Sequence, residues 1–214
     1  MNPSHELLTP DKCVLVLLDH QAGLAFAVQS QDRQVLVNNT VALVKTALTF
    51  EIPIVVSTSA TKVYSGPLMP AIQSLIPDVQ SIERRNMNCW EDEAVREAIL
   101  KLQRPKLLFS GMLTEGCVTF PVLSALGAGL EAYVVADTCG GATAQSHDLA
   151  LRRMERAGAQ MASWLQVVLE LQRDWTRKDT YDGARGIIEE NGGGYGIGLR
   201  YARQMIAPPP AAPR

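Results

Sequence analysis

Cys13-Val14-Leu15-Val16-Leu17-Leu18 is an unbroken apolar run that stops at Asp19. A strand with one wet face alternates apolar and polar residues, whereas a strand covered on both faces is apolar throughout. The run therefore predicts a strand in the interior of a parallel sheet. Beyond Asp19 the chain alternates between helical and strand patterns. Asp32 to Phe50 carries Val35, Leu36, Val41, Leu43, Val44 and Leu48 on a helical stripe. Pro53-Ile54-Val55-Val56 is a second short strand ending at Ser57-Thr58-Ser59, and a Gly/Pro-rich loop runs from Thr61 to Pro77. Ser81 to Arg84 reads as a brief third strand and Glu91 to Leu102 as a helix with an acidic first turn. Lys106 to Ser110, Glu131 to Ala136 and Gln160 to Ala162 read as further strands. Helices over Glu115 to Ala128, His147 to Ala157 and up to about Arg173 separate or follow them, with Gly129 and Gly158 as stops. This β-α-β-α order predicts an α/β fold with a doubly wound, mostly parallel sheet and helices on both faces.

The C-terminal part differs. Tyr181 to Asn191 reads as one more helix, Gly192 to Gly198 as a Gly-rich link, and Leu199 to Ile206 as weakly helical. The Gly-rich piece follows no strand and lacks a Gly-Lys-Ser/Thr ending, so it is no phosphate loop. The expected organisation is a domain over 1–180, an extension over 181–206 lying on the domain or a neighbouring subunit, and a disordered tail over 207–214.

The chain has 214 residues, enough for one substantial core. A net charge of −2 and scattered basic residues give no reason to expect nucleic acid or a membrane as partner. The start lacks a basic segment followed by an apolar one, and no early apolar run is long enough to span a bilayer. The four cysteines are widely spaced without a CxxC pair. Together these predict a cytoplasmic protein with free thiols.

Cys117 is the candidate nucleophile. The apolar Leu107-Leu108-Phe109 runs into Ser110-Gly111-Met112-Leu113-Thr114-Glu115-Gly116-Cys117, so the thiol lies past the carboxyl end of a strand and at the start of a helix. Open parallel sheets bind ligands at that edge, and a helix N-terminus lowers a thiol pKa. Asp19 ends the first strand at the same edge, where it fits a general base or a cap of the next turn. Arg84 is the candidate cation, with Arg85 adjacent and either one able to point inward. Backbone N–H groups of Leu113, Thr114 and Cys117 are candidates for an oxyanion site, and Trp90 and Phe120 for a substrate pocket. Cys89 and Cys139 are secondary thiols. No spacing motif joins Cys117 to His5, His20 or His147. No CxxC, HxxxH or GxGxxG motif signals a metal or dinucleotide, so no cofactor is expected.

Three stretches together resemble the isochorismatase-like cysteine hydrolases, most closely the YcaC-type branch. They are Leu17-Leu18-Asp19-His20-Gln21-Ala22-Gly23-Leu24, then Arg84 with Met87-Asn88-Cys89-Trp90-Glu91-Asp92-Glu93, and Gly111 to Pro121. The resemblance implies a three-layer α/β/α sandwich and a triad of Asp19, Arg84 and Cys117. It implies Arg where many relatives have Lys, and Arg does not readily release its proton. It also implies a non-proline cis peptide at Leu113–Thr114. The nicotinamidase branch binds zinc through an Asp-x-His motif that Ser57 to Lys62 does not contain. The isochorismate-cleaving branch does not need a thiol. The resemblance thus implies hydrolysis of a small amide or other C–N bond through a thioester, in a homo-oligomer acting on a small molecule. The other readings are a thiol redox or regulatory protein, and a catalytically silent oligomeric scaffold.

Overall fold

The computed structural model describes residues 6–206. The tail expected over 207–214, like His5, lies outside the described residues.

Strand β1 is Cys13–Leu18, and all six of its residues are buried. Helices α1 (Ala22–Ala27) and α2 (Arg33–Thr49) follow, then β2 (Ile54–Ser59), the short α3 (Pro70–Gln73) and β3 (Ile82–Arg84). The second half runs α4 (Glu93–Leu100), β4 (Lys106–Gly111), α5 (Thr119–Gly127), β5 (Glu131–Val135), α6 (Ala144–Arg156), β6 (Gln160–Ala162) and α7 (Trp164–Gln172). Helices α8 (Lys178–Asn191) and α9 (Gly193–Ile206) complete it. The sheet order is β3-β2-β1-β4-β5-β6, and every pairing is parallel. The chain builds outward from β1 to β3, returns to lay β4 against the other side of β1, and builds outward again.

Period-two alternation in β1 feeds two cores. Leu15 and Leu17 join the core containing Leu36 and Leu43 of α2 and Val167 and Val168 of α7. Val14, Val16 and Leu18 join the core containing Val95 and Ile99 of α4 and Val122 of α5. This double burial accounts for the unbroken apolar run, and the three-layer α/β/α architecture is as expected.

The helix starts differ from the sequence reading for local reasons. Asp32 caps α2 by accepting the Gln34 and Val35 N–H groups at 2.8 and 3.0 Å. Helix α6 begins three residues before the expected His147, because Thr143 and Ser146 form a capping box. Helix α5 begins at Thr119 rather than Glu115, because Thr114–Val118 forms a π turn. Strand β2 extends to Ser59, three residues past the expected Val56. The Gly-rich link at 192–198 lies mostly inside α9. A Cβ on Gly196 would collide with the Ile188 carbonyl oxygen of α8, so glycine is what lets these helices approach closely. Helix α8 buries Ala184, Ile187 and Ile188 in the same core as α2.

Candidate active site

The β1–β4 pair is where the chain reverses its direction of sheet growth, and such switch points open a crevice at the carboxyl edge. Leu18 pairs with Ser57 on one side and with Gly111 on the other. A Cβ on Gly111 would come within 2.5 Å of the Leu18 carbonyl oxygen, so glycine permits the two backbones to meet here.

Asp19 follows at φ 56°, a left-handed conformation that Asp tolerates better than most residues. Its N–H still bonds the Ser57 carbonyl at 2.9 Å while the chain turns away. Arg84 is the last residue of β3 and pairs with Ser59 of β2. Its guanidinium reaches across β2 to Asp19, with Nη1–Oδ1 at 2.8 Å and Nη2–Oδ2 at 2.5 Å. Ser57 and Ser59 alternate on β2. Ser57 Oγ accepts Arg84 Nη1 at 3.1 Å, and Ser59 Oγ donates to Asp19 Oδ1 at 3.1 Å. Asp19 is fully buried and Arg84 is 2% exposed. The choice between the two arginines is thereby resolved: Arg84 meets Asp19, while Arg85 is exposed.

Cys117 sits half-buried in the π turn, close enough to Asp19 and Arg84 for both charges to act on its thiol. The thiol is pushed up to about 12 by burial first, then by the Asp19 carboxylate; Arg84 and the Leu113 backbone oppose this. The expected lowering is therefore reversed. Asp19 already neutralises the guanidinium, and the carboxylate itself faces the sulfur.

Two other expectations shift. The Thr114 N–H donates to the Gly140 carbonyl at 2.9 Å, which removes it from the oxyanion candidates. The cis peptide bond lies at Met112–Leu113, one residue earlier than expected.

A cavity of about 830 Å³ opens over the thiol, lined by Leu24, Ser59, Arg84, Met87, Leu113 and Cys117 among others. Neither Trp90 nor Phe120 lines it. The indole instead turns to the core between the sheet and α4, and Phe120 is half-buried in the first turn of α5. Sequence reasoning missed Leu24, Met87 and the serine pair. The Ser57-Thr58-Ser59 alternation was the one visible signal for the serines.

No histidine is hydrogen-bonded to Cys117 among the described residues. His20 Nε2 meets Ser110 Oγ at 2.8 Å, and burial lowers its pKa to about 4. His147 Nδ1 meets Thr114 Oγ1 at 2.8 Å, and burial lowers it too. Cys13, Cys89 and Cys139 are buried free thiols, each pushed up to about 12 by burial. Among the described residues, no three His, Cys, Asp or Glu side chains gather as a metal site, and no helix is long and apolar enough to cross a membrane.

A family model for the isochorismatase domain matches residues 13–166. The chain is 35% identical over 176 residues to the probable hydrolase YcaC of Escherichia coli (strain K12), covering 82% of this chain and 85% of that protein. It superposes on the crystal structure of the E. coli YcaC gene product, described as an octameric hydrolase of unknown specificity. The TM-score is 0.89 at 32% identity, covering 95% of this chain and 98% of that one. YcaC from Pseudomonas aeruginosa, solved with hexane-2,5-diol and covalent acrylamide, matches with a TM-score of 0.88 at 32% identity, covering 92% and 98%.

Proposed function

The chain belongs to the isochorismatase family of hydrolases, and on that premise we propose that it cleaves a small amide or related C–N bond through a thioester on Cys117. The observation that carries this reading is Cys117 in the wall of an 830 Å³ cavity, where its thiol feels the charge of a carboxylate that a buried guanidinium clamps.

A thiol pushed up to about 12 is protonated at neutral pH, so the nucleophile is made as it attacks. Asp19 takes the S–H proton while the sulfur bonds to the substrate carbonyl carbon. The Leu113 and Cys117 N–H groups stabilise the resulting oxyanion. Collapse of the tetrahedral intermediate breaks the C–N bond, and Asp19 passes its proton to the departing amine. Water then attacks the thioester, giving its proton to Asp19. Breaking the C–S bond frees the acid, and the proton on Asp19 returns to sulfur. Arg84 keeps its proton throughout and orients Asp19. Acrylamide alkylates thiols, so its covalent capture by the P. aeruginosa relative supports a reachable nucleophile in this fold. The redox reading has no comparable support, since Cys89 and Cys139 are buried and held protonated.

We further propose that the protein assembles with itself. Helix α9 leaves Ile197, Tyr201, Met205 and Ile206 exposed, and the E. coli relative is an octamer. The four free thiols fit a reducing compartment.

The test is a panel of small amides with wild type and Cys117→Ala, with acid-quenched mass spectrometry of the protein. A mass increase equal to the acyl group, located on Cys117, supports the mechanism. Turnover by Cys117→Ala at the wild-type rate overturns it.

A further inference from the structure

The cavity lining is apolar at Leu24, Leu113 and the exposed Met87, but not throughout. Lys62, from the segment after β2, and Arg85, just past β3, both line it, and both are exposed. Neither makes an ion pair or hydrogen bond with another described residue. Glu83 is the one carboxylate beside them at the mouth. It is already held in place, because Glu83 Oε1 accepts the Thr61 N–H at 3.2 Å. Deeper in, the Arg84 guanidinium is balanced by Asp19. Lys62 acts on the Glu83 charge without closing an ion pair on it, so the mouth carries two cations against one carboxylate and stays net positive.

We infer that this cavity selects substrates bearing a carboxylate, which the Arg85 fork and the Lys62 ammonium bind at the mouth while a short apolar spacer places the amide carbonyl over Cys117. A planar guanidinium matches a carboxylate with two parallel hydrogen bonds, and a lysine adds a mobile point charge. The cavity volume lies within the usual range for small-molecule sites, about 300–1,000 Å³. Such a substrate is an amide of a dicarboxylic acid or an N-acyl amino acid. The inference rests on the hydrolase reading for its amide, but its anion site stands on the lining residues alone.

The experiment therefore has two arms. In the first, Cys117 is alkylated with anionic iodoacetate and with neutral iodoacetamide, and the rate ratio is compared with that of the same chain unfolded in urea. The expected result is a ratio at least about tenfold higher in the folded protein, as electrostatic focusing in a cleft gives. The preference falls with added salt and disappears in Lys62→Gln/Arg85→Gln. Both positions are exposed, so this variant should fold, and its circular dichroism verifies that. An equal ratio in folded and unfolded protein, or a preference that survives both substitutions, overturns the anion site. In the second arm, turnover of succinamate is compared with that of its neutral analogue butyramide. A lower KM for succinamate that the double variant raises supports the full inference. An iodoacetate preference with neither amide cleaved retains the anion site and counts against the amide hydrolase. Equal KM values overturn carboxylate selection.

Discussion

Arg84 grips both carboxylate oxygens of Asp19, and neither side chain is exposed to solvent. The fork fixes the carboxylate in one orientation, and its charge acts on the Cys117 thiol. Because the pair carries no net charge, the sulfur feels little of the cation and much of its own burial.

Removing the guanidinium strands a buried carboxylate. Arg84→Met should lower stability by about 3–5 kcal/mol, the usual cost of breaking one side of a buried ion pair. Urea unfolding measures this, and a loss below about 1 kcal/mol would mean that Asp19 simply protonates or finds water.

Asp19→Asn separates thiol acidity from catalysis. The substitution removes the charge that holds the Cys117 thiol up and leaves Arg84 unopposed beside the sulfur. Alkylation of Cys117 by iodoacetamide at pH 7.5 should therefore accelerate, while amide turnover collapses for want of a base. Slower alkylation in the variant would contradict the electrostatic account.

Stability should fall at both ends of the pH range. The thiols of Cys13, Cys89, Cys117 and Cys139 stand near 12 in the fold against an ordinary 9.0. Between those values the unfolded chain sheds protons that the folded one keeps, so stability declines as pH rises from about 9 to 12. His20 is lowered from 6.5 to about 4, so the unfolded chain takes up its proton first and stability declines as pH falls through that window. His147 is shifted in the same direction. Denaturant midpoints at pH 4.5, 7.5 and 10.5 check both limbs, and His20→Gln should flatten the acid one.

Gly23 seats the first turn of α1 against the loop after β2. A Cβ there would collide with the Tyr64 carbonyl oxygen and come within 2.9 Å of the Ser65 Cα. Gly23→Ala should cost about 1–3 kcal/mol by overpacking and raise KM more than it lowers kcat, since Leu24 next to it lines the cavity. An unchanged KM would detach this loop from substrate binding.

Light scattering should give a mass several times that of one 214-residue chain. Tyr201→Asp with Met205→Asp should reduce it by placing charge on the exposed face of α9. A monomeric wild type would overturn self-assembly.

Much of this architecture was legible because it follows from burial. Two-sided coverage of β1 forces an apolar run, and the run's end marks where Asp19 emerges. Cys117 was legible for the same reason, past the end of β4. What stayed hidden depends on contacts between distant segments. The fork from Arg84 to Asp19 crosses β2, so no local pattern separates Arg84 from Arg85. The sign of the Cys117 shift depends on which partner neutralises that arginine. The π turn and the hydrogen bond from Thr114 to Gly140 arise where two loops meet, and they remove a donor that chain order alone offers. Trp90 looked like a pocket wall because it neighbours Arg84 in sequence, yet its ring is turned to the core.

The β3-β2-β1-β4 ladder also divides labour within the molecule. Asp19, Ser59 and Arg84 are aligned laterally by main-chain hydrogen bonds between neighbouring strands. Lys62, Arg85 and Met87 sit instead on connecting segments that line the cavity. Selectivity is thus open to redesign on the connecting segments, while the strands that carry the Arg84–Asp19 fork are left in place.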